Sequence, residues 1–104
     1  MSRGPDAATQ LERALLESAR LAGCRLVLDL SEMTRWASAT FTGARHLISL
    51  SGEDRAAIDG WLATLAEAEF VLRDHLVADL TVEWVRRADG VTTIGLEILT
   101  VEER

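Results

Sequence analysis

Apolar and polar residues alternate along two stretches near the end of the sequence, one on each side of Asp89-Gly90. The first stretch covers residues 76–84 and the second covers residues 94–98. A period of two is typical of a β-strand with one buried face. An Asp-Gly pair between two such runs is typical of a type I′ turn, which needs positive φ at both central residues. The pattern therefore predicts a β-hairpin over residues 76–101.

The same alternation appears earlier, over residues 24–30, where Leu26, Leu28 and Leu30 are predicted to point to one side. Trp36 shares the phase of these leucines, so it is predicted to point to the same side. The small and polar residues 37–40 predict a turn, and residues 41–50 predict a second strand. Because Leu47 and Ile48 are adjacent and both apolar, we expect something to cover both faces of the sheet at this point.

Two other stretches have apolar residues three and four apart, which predicts amphipathic helices. The first helix is predicted to have Pro5 in its first turn and to end at Gly23. The second is predicted to follow a capping box over residues 51–54 and to end near Arg73 or Asp74.

The chain resembles itself when it is shifted by fifty residues, since residues 26–31 read LVLDLS and residues 76–81 read LVADLT. The two halves, approximately residues 5–50 and 54–101, each predict helix, strand, strand. Together they predict a single α+β domain over residues 1–104 with the order αββαββ. It is a two-layer sandwich of a four-stranded antiparallel sheet and two helices on one face, which resembles a ferredoxin-like fold after circular permutation.

Composition narrows the class of protein further. The net charge is −6 and all 11 basic residues are arginine, so an acidic surface should repel nucleic acid. A single cysteine excludes a disulfide-stapled scaffold. The first six residues lack the apolar core that is typical of a signal peptide, and no apolar run approaches the roughly 20 residues of a membrane span. We therefore expect a cytoplasmic protein that binds neither nucleic acid nor membrane.

The face of the sheet away from the helices has a mixed character. Scattered apolar residues on a solvated sheet are normal. A contiguous apolar patch ringed by arginine and acidic residues instead indicates an interface, and the sequence favours a homodimer through this open face. A strand at the sheet edge offers a second route, and a different protein partner also fits. The predicted interface residues are Val27, Phe41, Leu47, Val77, Val85 and Leu99.

His46 is the first candidate for a chemical role. In the fifty-residue repeat it matches Leu96, which predicts a side chain that points toward the helices. A buried imidazole can act as a base or a ligand, but it can equally be a core histidine bonded to a carbonyl group. Trp36 and Trp84 either line a pocket or close the core. Arg35 and Arg86 either hold an anionic ligand there or are simply solvated.

Other candidates are weaker. Asp29 and Asp79 occupy matching places in the two halves and would form an acid pair if the strands brought them together. Cys24 is predicted to be a small buried apolar residue, and His75 to be solvated. No ligand spacing predicts a metal site or a cofactor.

Two hypotheses of function follow. The first is a non-enzymatic module that self-associates and serves in assembly or regulation. The alternative is a small-molecule-binding protein or small enzyme with a pocket between the helices and the sheet near His46.

Overall fold

The computed structural model describes residues 6–103 and confirms the predicted α+β class. Along the chain the elements are α1 (Ala7–Leu21), β1 (Val27–Ala37), β2 (Thr42–Gly52), α2 (Arg55–Thr64), a short 3₁₀ turn (Leu65–Glu67), β3 (His75–Ala88) and β4 (Val91–Glu102). The strands form one open antiparallel sheet in the order β1-β2-β4-β3. The two strands that begin the hairpins are therefore its two edges.

The core lies between one face of this sheet and both helices. Each second residue of the two central strands points into it, and so do the apolar stripes of α1 and α2. Its fully buried members include Leu11 and Leu15 of α1, Ile58 and Trp61 of α2, and Ile48, Leu50, Ile94, Leu96 and Ile98 of the sheet. The other face of the sheet has no second layer among the described residues. The comparison with a permuted ferredoxin-like fold stays a prediction.

The hairpin turn at Asp89-Gly90 forms as predicted. Both residues have positive φ, 55° for Asp89 and 79° for Gly90. These are the angles that a type I′ turn requires, and they match the right-handed twist of β3 and β4. Asp89 and Gly90 therefore determine where the chain reverses direction between β3 and β4.

The predicted sides of several edge-strand residues are wrong because both edge strands contain bulges. The register shifts at Asp29 in β1, and at Ala78 and Glu83 in β3. A bulge adds one residue to one strand, which turns every later side chain to the opposite face. Residues that stand directly opposite in the ladder share a face. Trp36, opposite Gly43, and Trp84, opposite Gly95, therefore lie on the outer face rather than toward the helices.

The predicted helix boundaries also need correction. Asp6 caps α1 by accepting a hydrogen bond from the Thr9 amide at 2.9 Å, while Pro5 lies outside the described residues. Strand β2 continues to Gly52, so the cap of α2 is Asp54, which accepts from the Ala57 amide at 3.0 Å, and not Ser51. Helix α2 ends at Thr64, well short of Arg73. Residues 68–74 instead form the connection to β3.

Candidate functional site: the open sheet face and the buried histidine

The outer face of the sheet carries several large apolar side chains that are exposed to water. We use "outer face" for the side away from α1 and α2. Leu30 is 49% exposed, Leu47 37%, Trp84 41% and Leu76 54%. All four belong to the outer face by their ladder partners, and they come from β1, β2 and β3. Large apolar side chains left in contact with water over three strands are typical of a surface that binds a partner.

Two tryptophans shape this face, and each lies over a glycine of the neighbouring strand. The Trp36 ring covers Gly43, where an added Cβ would come within 2.7 Å of Cζ2. The Trp84 ring covers Gly95 in the same way. At Gly95 any side chain would occupy the space of the ring, and at Gly43 it would also overlap the main-chain carbonyl oxygen of Thr100. The Nε1–H of Trp36 is buried and has no hydrogen-bond partner in the described part of the chain.

Charged residues lie among the apolar ones on the outer face. Arg45 of β2 forms an ion pair with Glu97 of β4 near the centre of the sheet. The guanidinium of Arg86 stacks on the Trp84 ring, 4.9 Å from its centroid. Glu32 of β1 and Asp79 of β3 are exposed on the two edge strands. The face therefore combines apolar side chains with charges of both signs, and the Arg45–Glu97 pair lies among the apolar residues rather than around them.

The structure divides the predicted interface residues between different places. Val27, Leu47 and Leu99 lie on the outer face. Phe41 is in the loop between β1 and β2 and is 56% exposed. Val77 and Val85 lie on the helix side instead, opposite the buried residues Thr100 and Ile94. The bulges at Ala78 and Glu83 cause this correction.

Sequence reasoning missed that Leu30, Leu76 and Trp84 are outer-face residues. Simple alternation assigned all three to the core. No residue type marks a bulge in an edge strand, so the period-two pattern contained no signal that the phase changes. The pairing register alone shows it.

His46 is fully buried between the sheet and the helices, at 0% exposure. Its Nε2 lies 2.9 Å from Oγ1 of Thr100, and that hydroxyl donates to the carbonyl oxygen of Ala44 at 3.5 Å. One ring nitrogen is therefore bonded to the threonine hydroxyl, and the other, Nδ1, is buried without a hydrogen-bond partner in the described residues. The partner is a threonine hydroxyl rather than the carbonyl group that the sequence-based alternative named.

The residues predicted to surround a ligand near His46 are not brought together. Trp36, Trp84 and Arg86 lie on the outer face, whereas His46 lies under the helices. Trp36 and Trp84 are also far apart, because β1 and β3 run antiparallel at opposite edges of the sheet. Arg35 is on the helix side and forms an exposed ion pair with Glu102 at 3.4 Å. One ligand therefore cannot contact all five side chains.

The remaining candidates are separated as well. Asp29 and Asp79 lie on β1 and β3, with two strands between them and at different levels along the sheet, so they are at least roughly 14 Å apart at the usual strand spacing. They do not form an acid pair. Cys24 is 1% exposed, and burial raises the pKa of its thiol, so it is the predicted buried residue and not a nucleophile. His75 is half-buried, and its Nδ1 lies 3.0 Å from the Arg73 carbonyl oxygen.

The burial of His46 predicts how stability depends on pH. Desolvation lowers the pKa of His46 below its usual 6.5, and the nearby His75 acts in the same direction against Asp6 and Glu12. The unfolded chain then binds a proton that the folded chain does not. The free energy of unfolding should therefore have its full value above pH 6.5. It should fall as the pH drops below 6.5, by at most about 1.4 kcal/mol per pH unit.

Urea denaturation at pH 7.5 and at pH 5.5 measures this effect. We expect His46→Gln to lose most of the difference between the two pH values, and His75→Gln, the matched variant, to keep most of it, because desolvation is the larger cause of the lowered His46 pKa. The carboxyl of Asp6 does not interfere, because hydrogen bonds from Thr9 hold its pKa below 3.8, outside this range. An equal pH dependence in His46→Gln and the unmodified protein would contradict the assignment.

Comparisons with known proteins give the fold and no family. No family model matches the chain, and no curated protein matches it. The solved structures with a similar fold include the following two. One is the type 4 fimbrial biogenesis protein PilO from Pseudomonas aeruginosa, with a TM-score of 0.51 and 13% identity over 96% of this chain and 70% of that one. The other is a chain of the virion of a native gene transfer agent particle, with a TM-score of 0.51 and 16% identity over 96% of this chain and 100% of that one.

Residues 6–103 contain neither a metal-binding cluster nor a membrane-spanning helix. Within residues 6–103, no three His, Cys, Asp or Glu side chains are grouped so that they could hold a metal ion. Neither helix in that part of the protein has the length and apolar character needed to cross a bilayer.

Proposed function

We propose that this protein is a non-enzymatic module that self-associates and serves in assembly or regulation. The observation that carries the proposal is the outer face, where Leu30, Leu47, Leu76 and Trp84 are between 37% and 54% exposed. Burying such side chains is worth about 25 cal/mol per Å² of apolar surface, which is the usual driving force for association. The open face and the strand edges that flank it are the surfaces available for a partner.

The arrangement of charges favours a second copy of the chain over an unrelated partner. The outer face carries both arginine and acidic residues, so one copy can meet another with opposite charges across a two-fold axis. A face of one sign would instead require a partner of the opposite sign. The names of two similar structures support the proposal: one is a fimbrial biogenesis protein and the other is part of a virion particle.

We also infer that the two halves of the chain are copies of one unit. Each hairpin begins with an edge strand that has a bulge near its start, after Leu28 in β1 and after Val77 in β3. Leu47 and Glu97, which are fifty residues apart, stand opposite each other at the centre of the sheet. A duplicated unit accounts for the matching places of these first bulges in β1 and β3. The cytoplasmic location stays a prediction from the sequence.

Sedimentation equilibrium between 1 and 100 μM tests self-association. We expect a mass of twice 11.4 kDa at the upper end of the range, with a shift toward one chain on dilution. A mass of 11.4 kDa at every concentration would overturn the proposal. A screen of metabolites by thermal shift provides the complementary result, because a ligand that prefers the folded state would raise the melting temperature and favour the binding-protein alternative.

A further inference from the structure

The two edges of the sheet differ in how well they can accept another strand. In β3 the register shifts twice, at Ala78 and at Glu83, so no regular segment of that edge is longer than a few residues. In β1 the register shifts once, at Asp29, and residues 30–37 then pair with β2 without interruption. Bulges interrupt the row of edge hydrogen-bonding groups and are a common way to block pairing. The edge of β1 is therefore the open one.

The regular part of β1 has only two charged residues, Glu32 and Arg35, to protect it as an edge strand. It contains no proline and no lysine. Apolar side chains extend from both of its faces: Leu30, 49% exposed, and Trp36 on the outer face, and Met33, 44% exposed, on the helix side. A regular, apolar and uncovered edge strand is suited to main-chain pairing with another strand.

From these observations we propose that two copies of this chain pair through β1, antiparallel, about a two-fold axis at Met33. The proposal rests on the self-association proposed above and names the surface that forms it. The result is a continuous eight-stranded sheet with all four helices on one face. In this register Leu30 lies opposite Trp36 of the second copy on the outer face. Glu32 lies opposite Thr34 of the second copy.

The charges of this register are complementary. Thr34 stands directly opposite Arg45 of its own chain, so Glu32 of one copy comes within two strand spacings, roughly 10 Å between Cα atoms, of Arg45 of the other. Long side chains span that distance. On the helix side, Arg35 of the second copy lies opposite Ser31. The Ser31 hydroxyl donates to the carboxylate of Glu12 at 2.5 Å, which places an acidic group next to the incoming arginine.

Neighbouring registers fit less well. An antiparallel pair that keeps both outer faces on one side can shift only in steps of two residues. An axis at Glu32 would place the two Glu32 carboxylates opposite each other, and like charges in that position are destabilising. An axis at Thr34 would place Glu32 opposite Trp36 and leave Leu30 without a partner. Of the three, the axis at Met33 is the one that places Leu30 opposite Trp36 and keeps the Glu32 carboxylates apart, with Arg45 of the second copy, the partner of Glu97, one strand beyond Thr34.

Cysteine crosslinking tests the register directly. At the two-fold axis a residue faces its own copy, with Cα atoms about 4.5–5.5 Å apart, which lies within the range of a disulfide. Met33→Cys should therefore form a disulfide-linked dimer under copper–phenanthroline, which passes the electrons of the two thiols to oxygen. Val82→Cys is the matched control: Val82 also lies on the helix side of an edge strand and is 38% exposed, but on β3. The unmodified protein, whose Cys24 is buried, gives the background rate of disulfide crosslinking.

The expected result is crosslinking of Met33→Cys at least about tenfold faster than of Val82→Cys, because pairing raises the effective concentration of the two thiols to the millimolar range. Faster crosslinking of Val82→Cys would overturn the proposal in favour of the β3 edge. Equal, slow crosslinking of both variants in a protein that sediments as a dimer would overturn it in favour of the outer face. A protein that sediments as a monomer would overturn both the self-association and the edge.

Charge reversal provides an independent measurement of the same register. We expect Glu32→Arg to weaken the dimer by at least about tenfold, because the new guanidinium faces Arg45 of the other copy. Glu53→Arg adds the same charge at an exposed position beyond the end of β2 and should change the dissociation constant little. Equal weakening by the two variants would show that net charge and not register is responsible, and would overturn the assignment of Glu32.

Discussion

Trp61→Ala is expected to destabilise the protein by about 3–5 kcal/mol, the usual cost of removing a large aromatic side chain from a packed core. Trp61 is 1% exposed and lies in the cluster that joins α2 to the sheet. Its Nε1–H also donates to Oγ of Ser18 at 3.0 Å, which is a direct link between the two helices. The alanine variant therefore loses both the apolar contacts under α2 and the hydrogen bond between α1 and α2.

Urea denaturation of three variants separates these contributions. Trp61→Phe keeps an aromatic ring but no donor, so it should be intermediate in stability. Leu21→Ala removes an apolar side chain that is 72% exposed and should stay within about 0.5 kcal/mol of the unmodified protein. A loss below about 1 kcal/mol for Trp61→Ala would show that α2 contributes little to the core, and the two-layer description of this half of the molecule would be wrong.

Gly43→Ala is the second variant with a large expected effect, a loss at the upper end of the 1–3 kcal/mol range, about 3 kcal/mol. The added Cβ would overlap the carbonyl oxygen of Thr100 and come within 2.7 Å of Cζ2 of Trp36. Strand β2 is hydrogen-bonded on both sides, so it cannot move away from β4 without breaking the ladder. The clash involves main-chain atoms and is therefore not relieved by a change of side-chain rotamer.

Two other glycines provide the controls for this prediction. Gly60 lies in α2 with open space around it, so Gly60→Ala should stabilise the protein by up to about 1 kcal/mol. At Gly95 the nearest atoms to an added Cβ all belong to the Trp84 ring. Trp84→Ala should therefore rescue Gly95→Ala, whereas Trp36→Ala should leave most of the loss in Gly43→Ala. Equal rescue in both pairs, measured by thermal denaturation, would contradict the main-chain clash at Gly43.

Both tryptophans connect stability to the proposed function. Each covers a glycine of its neighbouring strand, so it is partly fixed by the sheet while its other side remains on the outer face. In the proposed dimer Trp36 meets Leu30 of the second copy, whereas Trp84 lies on the opposite edge with Arg86 stacked on it. Trp36→Ala should consequently affect both folding and association.

The sequence by itself determined the elements that depend on local chemistry. The Asp89-Gly90 turn follows from the tolerance of these residues for positive φ, and the first helix and the core positions of β4 follow from periodicity. The burial of His46 followed from its phase in β2, a central strand whose ladder has no bulge. The order αββαββ was therefore predictable from pattern alone.

The tertiary structure decided which way the edge strands face and how far α2 extends. A bulge at Asp29, Ala78 or Glu83 costs little at an edge, where one side of the strand has no ladder to break, and no residue type announces it. For this reason Leu30, Trp36 and Trp84 lie on the outer face although alternation predicts the helix side. Val77 and Val85 lie on the helix side although alternation predicts the outer face. Pairing between distant strands sets the phase of a side chain at an edge, and alternation within one segment cannot contain that information.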